Sequence, residues 1–277
     1  MISGKTLLVA HVGYPTESFK APLIYNPWFE RRGIDAVVVP MGVKADDYPA
    51  FLRSIFRLTN IRGALITMPH KVTTVALVDE ITPTVEIAGS CNAVLLRPDG
   101  TLLGDMFDGT GFVRGLARKG FAVRGARCLI VGAGGVGSAI AASLAAAGVG
   151  TIALFDLRAD TAEALAGRLR KHYPALDVRL ASRDPGGYDL VVNGTPLGMM
   201  PGDPLPVDAS RLEARTFVGE VVMKTEITPL LEAARARGCR YQVGTDMLFE
   251  MIPPYLEFFG FGTATPDELR AVAKVSY

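Results

Sequence analysis

Short apolar runs alternate with longer amphipathic segments along the first hundred residues. The pattern predicts strands at residues 6–12, 35–39 and 63–67, a helix ending near residue 32, and a helix at residues 48–59. This alternation is typical of parallel β-α-β units. Two further strands, at residues 91–96 and 101–103, flank the turn sequence RPDG and predict a hairpin.

A second alternating series begins near residue 127. It predicts strands at residues 128–131, 151–155, 190–192 and 217–222, and helices at residues 135–147, 161–173, 228–237, 245–259 and 265–276. A chain of 277 residues is longer than one core usually serves, so the two series predict two α/β domains.

Composition narrows the possible partners. Apolar residues make up 49% and charged residues 21%, and the formal net charge is +1. Such a balance disfavours nucleic acid or an anionic membrane as a partner. Cys91, Cys128 and Cys239 are odd in number and widely spaced, which disfavours a disulfide framework or a metal site. With no signal-peptide pattern and no apolar run long enough to cross a bilayer, we expect a soluble, cytoplasmic protein.

A nucleotide motif follows the first strand of the second series. The sequence LIV at residues 129–131 leads into GAGGVG at residues 132–137, a G-x-G-x-x-G pattern that opens a helix. Its glycines allow a tight turn and close approach of the backbone to a pyrophosphate, and the helix N-terminus attracts the phosphates. Asp156 ends the next strand, where a carboxylate accepts hydrogen bonds from ribose hydroxyls. A glycine-rich turn that binds nothing is the disfavoured alternative.

Motifs elsewhere occur in the order typical of a known family. They are GYP at residues 13–15, ITMPHK at 66–71, AGSCN at 88–92, GDMFDG at 104–109, the glycine turn, NGTPLG at 193–198, TPLL at 228–231 and GTDML at 244–248. With this series the chain resembles the shikimate/quinate dehydrogenase family over nearly its whole length. The resemblance implies an NAD(P)-dependent oxidoreductase acting on a hydroxyl or keto group of a small cyclic substrate. It also implies a link to aromatic amino acid biosynthesis.

The resemblance also implies a domain arrangement and a catalytic pair. An N-terminal α/β substrate domain at residues 1–107 would be completed by C-terminal helices at residues 246–277. A doubly wound Rossmann domain at residues 108–245 would bind the dinucleotide. Lys71 and Asp108 match the family's catalytic lysine and aspartate. Oxidation of an alcohol releases a proton, and a lysine in a partly desolvated cleft is a suitable base for it.

Other positions are candidate ligand contacts. The substrate candidates are Thr67, Asn92, Ser18, Phe19, Lys20 and Met251. The cofactor candidates are Gly132, Gly134, Gly135, Val136, Gly137, Asp156, Leu157, Arg158, Thr195, Pro196, Val221, Met223, Gly244 and Met247. Asp156 would repel a 2′-phosphate. In the family that the chain resembles, NADP-using members carry Asn-Arg at the positions of Asp156 and Leu157. We therefore expect this chain to prefer NAD over NADP. Arg158 could oppose this by pairing with that phosphate.

Several positions depart from the family pattern in one direction. The serines that hold the substrate carboxylate become Phe19 and Ala21, a strand-end asparagine becomes Leu65, and a threonine becomes Phe107. Each change removes a hydrogen-bonding group, and a pocket that cannot pair a carboxylate rejects it. We therefore expect shikimate to be a poor substrate. A carboxylate anchor moved to Ser18 or Lys20 is the alternative.

Three alternatives remain open from the sequence. A non-catalytic NAD-binding sensor would retain the glycine turn without turnover, and an ordinary biosynthetic shikimate dehydrogenase would accept shikimate. The third concerns assembly, since both a monomer and a homodimer fit the sequence. His11 lies in a strand-like context and is expected to be structural.

Overall fold

The computed structural model describes residues 2–17 and 19–275 and divides into two compact units. One unit runs from the N-terminus to Phe107 and resumes at Ile252, and the other runs from Asp108 to Met251. Both units are α/β, so the predicted fold class is confirmed. Within the described residues, no helix is long and apolar enough to cross a membrane.

The first unit is built on a mixed sheet. Its elements are β1 (Leu7–Gly13), α1 (Pro22–Arg32), β2 (Ala36–Gly42), α2 (Tyr48–Ile55), β3 (Ile61–Ile66), α3 (Lys71–Thr74), β4 (Glu80–Ile81), α4 (Pro83–Ala88), β5 (Ala93–Leu96) and β6 (Leu102–Asp105). The strand order is β2-β1-β3-β5-β6-β4. Strands β1, β2 and β3 are parallel, whereas β5 pairs antiparallel with β3 and with β6, which gives the predicted hairpin.

The second unit is a doubly wound sheet. Its elements are α5 (Asp108–Arg118), β7 (Arg127–Val131), α6 (Gly135–Ala146), β8 (Thr151–Phe155), α7 (Ala159–His172), β9 (Asp177–Leu180), β10 (Leu190–Asn193), β11 (Phe217–Glu220), α8 (Pro229–Ala236), β12 (Arg240–Gln242) and α9 (Gly244–Phe258). The parallel strands lie in the order β12-β11-β10-β7-β8-β9. The order reverses between β7 and β10, where such sheets bind ligands.

The chain passes back into the first unit within α9, between Met251 and Ile252. Helix α10 (Pro266–Val272) follows and packs against α1. A capping box at Thr265 and Glu268 fixes its first turn, because each side chain bonds the other residue's backbone N–H.

At the β2 edge of the first sheet, a side chain bonds the strand backbone. Asn26 of α1 accepts a hydrogen bond of 2.7 Å from the Val38 backbone N–H and donates one of 3.0 Å to the Val38 carbonyl. It therefore bonds strand β2 as a neighbouring strand would.

The structure differs from the prediction in missed elements and in helix ends. The short helices α3 and α4 and the two-residue strand β4 were not predicted. Strands β9 and β12 were missed, because both lie at sheet edges and carry charged, exposed residues in place of an apolar run. Helix α2 ends at Ile55, not at residue 59, and α10 ends at Val272, not at residue 276.

Candidate functional site

Three predicted site residues of the first unit, Thr67, Lys71 and Asn92, lie close together where β3 ends and β5 begins. The Thr67 backbone N–H donates to the Val12 carbonyl at 2.9 Å, which fixes Thr67 at the end of β3 beside β1. The Asn92 carbonyl accepts from the Ile66 N–H at 2.8 Å, and the Lys71 carbonyl accepts from the Cys91 N–H at 2.8 Å. We call these three residues, together with Phe19, which packs against Gly13 beside Thr67, the Thr67 cluster.

Asn92 is the buried member of this cluster. Its side-chain oxygen accepts a 3.0 Å hydrogen bond from the Phe107 backbone N–H. Its backbone carbonyl also accepts from the Tyr255 hydroxyl at 3.3 Å. The Phe107 ring packs edge-on against Tyr255 with ring centroids 4.7 Å apart. Asn92 thus holds the end of β6 in place at the point where an apolar ring replaces the family's threonine.

The contacts of His70, the residue before Lys71, fix the backbone position of Lys71. The buried His70 side chain forms a 2.8 Å hydrogen bond between Nε2 and the Val43 carbonyl, and its ring stacks on Tyr48 with centroids 3.9 Å apart. The Thr74 hydroxyl donates to the His70 carbonyl at 2.8 Å and pairs with the Tyr48 hydroxyl. A four-residue helix such as α3 is not stable alone. These contacts therefore fix the turn on which Lys71 begins.

Phe19 occupies the end of β1. A side-chain carbon on Gly13 would overlap Thr67 and the Phe19 ring, which shows how closely that ring approaches the strand ends. The same ring stacks on His11, with centroids 4.1 Å apart. Ala21, at the other former serine position, is buried. Both positions therefore present carbon where the family pattern has hydroxyls.

The alternative carboxylate anchors flank Phe19 in the chain. Lys20 is half-buried, and its backbone carbonyl accepts from the Leu23 N–H at the start of α1. Ser18 lies outside the described residues.

In the second unit, Asp108 is the buried first residue of α5. The next residue, Gly109, packs so closely on α6 that a side-chain carbon there would overlap the Ala139 carbonyl. Ala139 lies about one turn along α6 from Gly135. Gly111, one turn into α5, packs in the same way against Met251 and the Met247 carbonyl. Asp108 is thus seated beside the helix that the glycine turn opens.

The glycine turn has the geometry that a dinucleotide requires. Gly132 has a left-handed φ of 99°, and a side-chain carbon on it would crowd Gly194. One on Gly137 would overlap the Gly132 carbonyl, whereas Gly134 faces open space. Gly134 also precedes α6 and has no side chain to cap the helix. The turn therefore leaves room beside the N-terminus of α6, where the N-cap residue supplies no side chain, and a pyrophosphate binds at such a helix N-terminus.

Asp156 is bonded directly to this turn. Its carboxylate accepts 2.8 Å and 2.9 Å hydrogen bonds from the backbone N–H groups of Ala133 and Arg158. Leu157 and Arg158 are exposed. The carboxylate is thereby fixed at the end of β8, beside the loop that would hold the phosphates.

A buried carboxylate joins the next two strand ends. Glu220 of β11 accepts hydrogen bonds from the Asn193 amide at 2.9 Å and the Thr228 hydroxyl at 2.8 Å, and from the backbone N–H groups of Val221 and Val222. Burial raises the pKa of Glu220, against the lowering effect of these bonds. Asn193 in turn accepts from the Thr195 hydroxyl.

This network lies among the remaining cofactor candidates. Thr195 and Pro196 follow Asn193, and Val221 and half-buried Met223 follow Glu220. Gly244 packs against the backbone of residues 221–222, where a side chain would overlap the Val222 carbonyl. The candidates after β7, β8, β10 and β11 therefore meet at one edge of the sheet.

Known protein families match segments of both units of the chain. One family model, the shikimate dehydrogenase substrate binding domain, matches residues 12–94, and another, the ThiF family, matches residues 119–179. The shikimate dehydrogenase (NADP(+)) of Acidiphilium cryptum (strain JF-5) is 34% identical over 99% of this chain and 98% of its own length. The chain belongs to the shikimate dehydrogenase family. It is therefore an oxidoreductase that uses a nicotinamide dinucleotide and acts on a small molecule.

Solved structures extend the similarity to the whole fold. A shikimate 5-dehydrogenase from Listeria monocytogenes, in complex with shikimate and NAD, has a TM-score of 0.90 at 26% identity and covers 98% of this chain and 97% of its own. A 5-ketofructose reductase from Gluconobacter sp. strain CHM43 has a TM-score of 0.86 at 26% identity, with 98% of each chain covered. Family membership confirms the predicted oxidoreductase and disfavours the non-catalytic sensor.

Sequence reasoning missed two residues at these sites. Glu220 ends β11 beside Asn193 of β10, and the rule that parallel strands present their carboxyl ends at one edge could have found it. His11, expected to be structural, stacks on Phe19, and no sequence signal shows that contact. Within the described residues, no group of three or more His, Cys, Asp or Glu side chains could hold a metal ion.

Proposed function

We propose that this enzyme interconverts a hydroxyl and a keto group on a small, cyclic, polyhydroxylated substrate that carries no carboxylate. Lys71 and Asp108 would be its acid-base pair, and NAD its preferred cofactor. Shikimate would be a poor substrate, unlike the substrate in the name of the Acidiphilium relative.

The stacking of Phe19 on His11 carries the proposal. A carboxylate loses strong hydration on binding, and it needs hydrogen-bond donors or a cation to offset that loss. The Phe19 ring and the buried Ala21 methyl offer neither at the two former serine positions. A substrate held through hydroxyls suits this surface better, and the similar 5-ketofructose reductase is named for a substrate that is a ketose.

The acid-base chemistry follows from the two candidate residues. In oxidation, the hydroxyl proton would go to the Lys71 amine as the C–H hydride leaves; in reduction, the Lys71 ammonium would return a proton to the carbonyl oxygen. The nicotinamide supplies the hydride acceptor or donor. Asp108 would orient the amine and accept a hydrogen bond from a substrate hydroxyl.

The preference for NAD rests on Asp156. Its carboxylate is held by two backbone N–H groups, so it cannot easily turn away from a ribose. A 2′-phosphate beside it would meet like charge, whereas ribose hydroxyls would donate to its oxygens. The names of the curated relatives specify NADP(+), so this chain would differ from them.

A restored serine pair tests the substrate class. Wild type and the double variant Phe19→Ser, Ala21→Ser would be assayed with shikimate, quinate and 5-ketofructose, with Lys71→Ala as the inactive control. We expect wild type to prefer 5-ketofructose and the double variant to gain at least tenfold in kcat/KM for shikimate. Efficient oxidation of shikimate by wild type would show an ordinary shikimate dehydrogenase. A large rise in the KM for shikimate in Lys20→Met would show a moved anchor.

The cofactor preference is tested at the end of β8. The double variant Asp156→Asn, Leu157→Arg restores the Asn-Arg pair of NADP-using members. We expect the ratio of kcat/KM for NADP over NAD to rise at least a hundredfold, because a repulsive charge becomes an attractive one. A wild type that already prefers NADP would overturn the preference without affecting the substrate class.

A further inference from the structure

His11 lies inside the first unit on strand β1, between β2 and β3. It is paired with Pro40 of β2 and Leu65 of β3, and its side chain is 8% exposed. Side chains two residues apart on a strand point to the same face, so His11 shares a face with Gly13. Phe19 contacts this face at both places, stacking on His11 and closing over Gly13 beside Thr67.

The His11 imidazole has an unused hydrogen-bonding atom. Among the described residues, Nδ1 is buried and has no hydrogen-bond partner. Burial, with a smaller contribution from the Lys71 ammonium, lowers the pKa of His11 to about 4. The ring is therefore neutral at physiological pH, with one nitrogen as donor and the other as acceptor.

His70 shows what a structural histidine looks like in the same unit. It also stacks on an aromatic ring, Tyr48, but its Nε2 atom bonds the Val43 carbonyl at 2.8 Å. Buried polar atoms in folded proteins are nearly always paired in this way, and an unpaired one opposes folding. His11 departs from that rule two residues before Gly13, which Thr67 approaches closely, and within electrostatic reach of Lys71.

We propose that His11 is a substrate-binding residue: when substrate binding displaces the side chains that cover Nδ1, the neutral imidazole exchanges a hydrogen bond through this atom with a hydroxyl or keto oxygen of the substrate. It would supply polar recognition at the strand ends where the family's serine hydroxyls are missing. The inference rests on the proposed function in one respect, since an uncharged substrate oxygen is the partner that a neutral imidazole suits.

Two variants of His11 separate binding from packing. Leu fills a similar volume without polar atoms, whereas Asn places an amide near the position of Nδ1. The KM and kcat of wild type, His11→Leu and His11→Asn would be measured with 5-ketofructose and with shikimate, alongside the Kd for NAD(H) and the Tm. His70→Leu is the matched control for loss of a structural imidazole.

We expect His11→Leu to raise the KM for 5-ketofructose by about ten- to a hundredfold, the usual effect of losing a buried hydrogen bond. His11→Asn should recover part of this loss. The Tm of His11→Leu should equal or exceed that of wild type, whereas His70→Leu should lower it.

Each remaining outcome separates the two proposals. A KM for His11→Leu within twofold of wild type for the substrate that is turned over would overturn the role of His11. Efficient wild-type turnover of shikimate, with a KM that rises in His11→Leu, would overturn the substrate class and keep the role of His11. A wild type inactive on both probes would overturn the substrate class on which the inference rests.

Discussion

Asn193 and Glu220 end neighbouring parallel strands and are joined by a buried hydrogen bond of 2.9 Å. The bond ties the loop after β10 to the loop after β11, and Thr228 and two backbone N–H groups complete the shell of the carboxylate. One buried acid therefore organises the loops that carry Thr195, Val221 and Met223.

Replacing Glu220 should weaken both folding and cofactor binding. Glu220→Leu would leave the Asn193 amide, the Thr228 hydroxyl and two backbone N–H groups without their acceptor, at a cost of at least about 3 kcal/mol. Glu220→Gln retains one oxygen and should lose less. Urea unfolding would measure the first effect, and titration with NADH the second. An unchanged Kd for NADH in a folded Glu220→Gln would mean that the network does not shape the cofactor loops.

Gly134→Ala should separate binding from folding at the glycine turn. A side-chain carbon there meets open space, so the Tm should remain within a few degrees of wild type. The added methyl would occupy the space where the pyrophosphate approaches the backbone, and the Kd for NADH should rise at least tenfold. Gly137→Ala is the contrasting variant, because its methyl would overlap the Gly132 carbonyl and destabilise the domain. Tight NADH binding by Gly134→Ala would place the phosphates elsewhere.

His70 should act on catalysis through the position of Lys71. His70→Leu removes the bond to the Val43 carbonyl, and His70→Gln places an amide near the position of Nε2. We expect His70→Leu to lower kcat by about tenfold or more, because small displacements of a reacting group have large effects. His70→Gln should restore much of it, and the Kd for NADH should be unchanged in both. Full kcat in His70→Leu, with Lys71→Ala inactive, would contradict this positioning role.

His11 should make the first unit sensitive to acid. Its pKa falls from 6.5 in the unfolded chain to about 4 in the folded protein. Between these values the unfolded chain binds a proton that the folded protein does not, so stability falls as the pH drops through this range. The loss should reach about 3 kcal/mol below pH 4. Burial lowers the pKa of His70 as well, and it contributes in the same direction.

The comparison of wild type with His11→Asn isolates the His11 contribution. Denaturation at pH 7 and at pH 4.5 should show a smaller difference in unfolding free energy for the variant. Equal differences in the two proteins would contradict the lowered pKa.

The sequence predicted the second unit better than the first. The central strands β7, β8 and β10 are apolar runs followed by a glycine or a polar residue, and β11 lies in the mostly apolar segment of residues 217–222. Such runs can be recognised in the sequence. Edge strands β9 and β12 take their conformation from pairing with a neighbour, so their polar sequences carry little signal.

The candidate site was predicted from motifs, and the contacts between motifs were not. The position of Asp156 after a strand indicated a ribose contact, but its bonds to Ala133 and Arg158 appear only in three dimensions. The stacking of Phe19 on His11 joins a loop to a strand and has no periodicity to reveal it. The roles of Lys71 and Asp108 remain predictions. The assignment of substrate binding to one domain and dinucleotide binding to the other also remains a prediction.

The bonding of Asn26 to Val38 has a consequence for self-association. Outward-facing backbone groups on an edge strand recur at every second residue, so Pro40 follows Val38 on the open side of β2, and proline has no N–H to offer. A strand from another molecule would find the Val38 backbone groups already bonded to Asn26, and it would find no N–H donor at Pro40. Growth of this sheet into a continuous intermolecular ribbon is thereby blocked at β2, and a homodimer would have to be assembled through another surface.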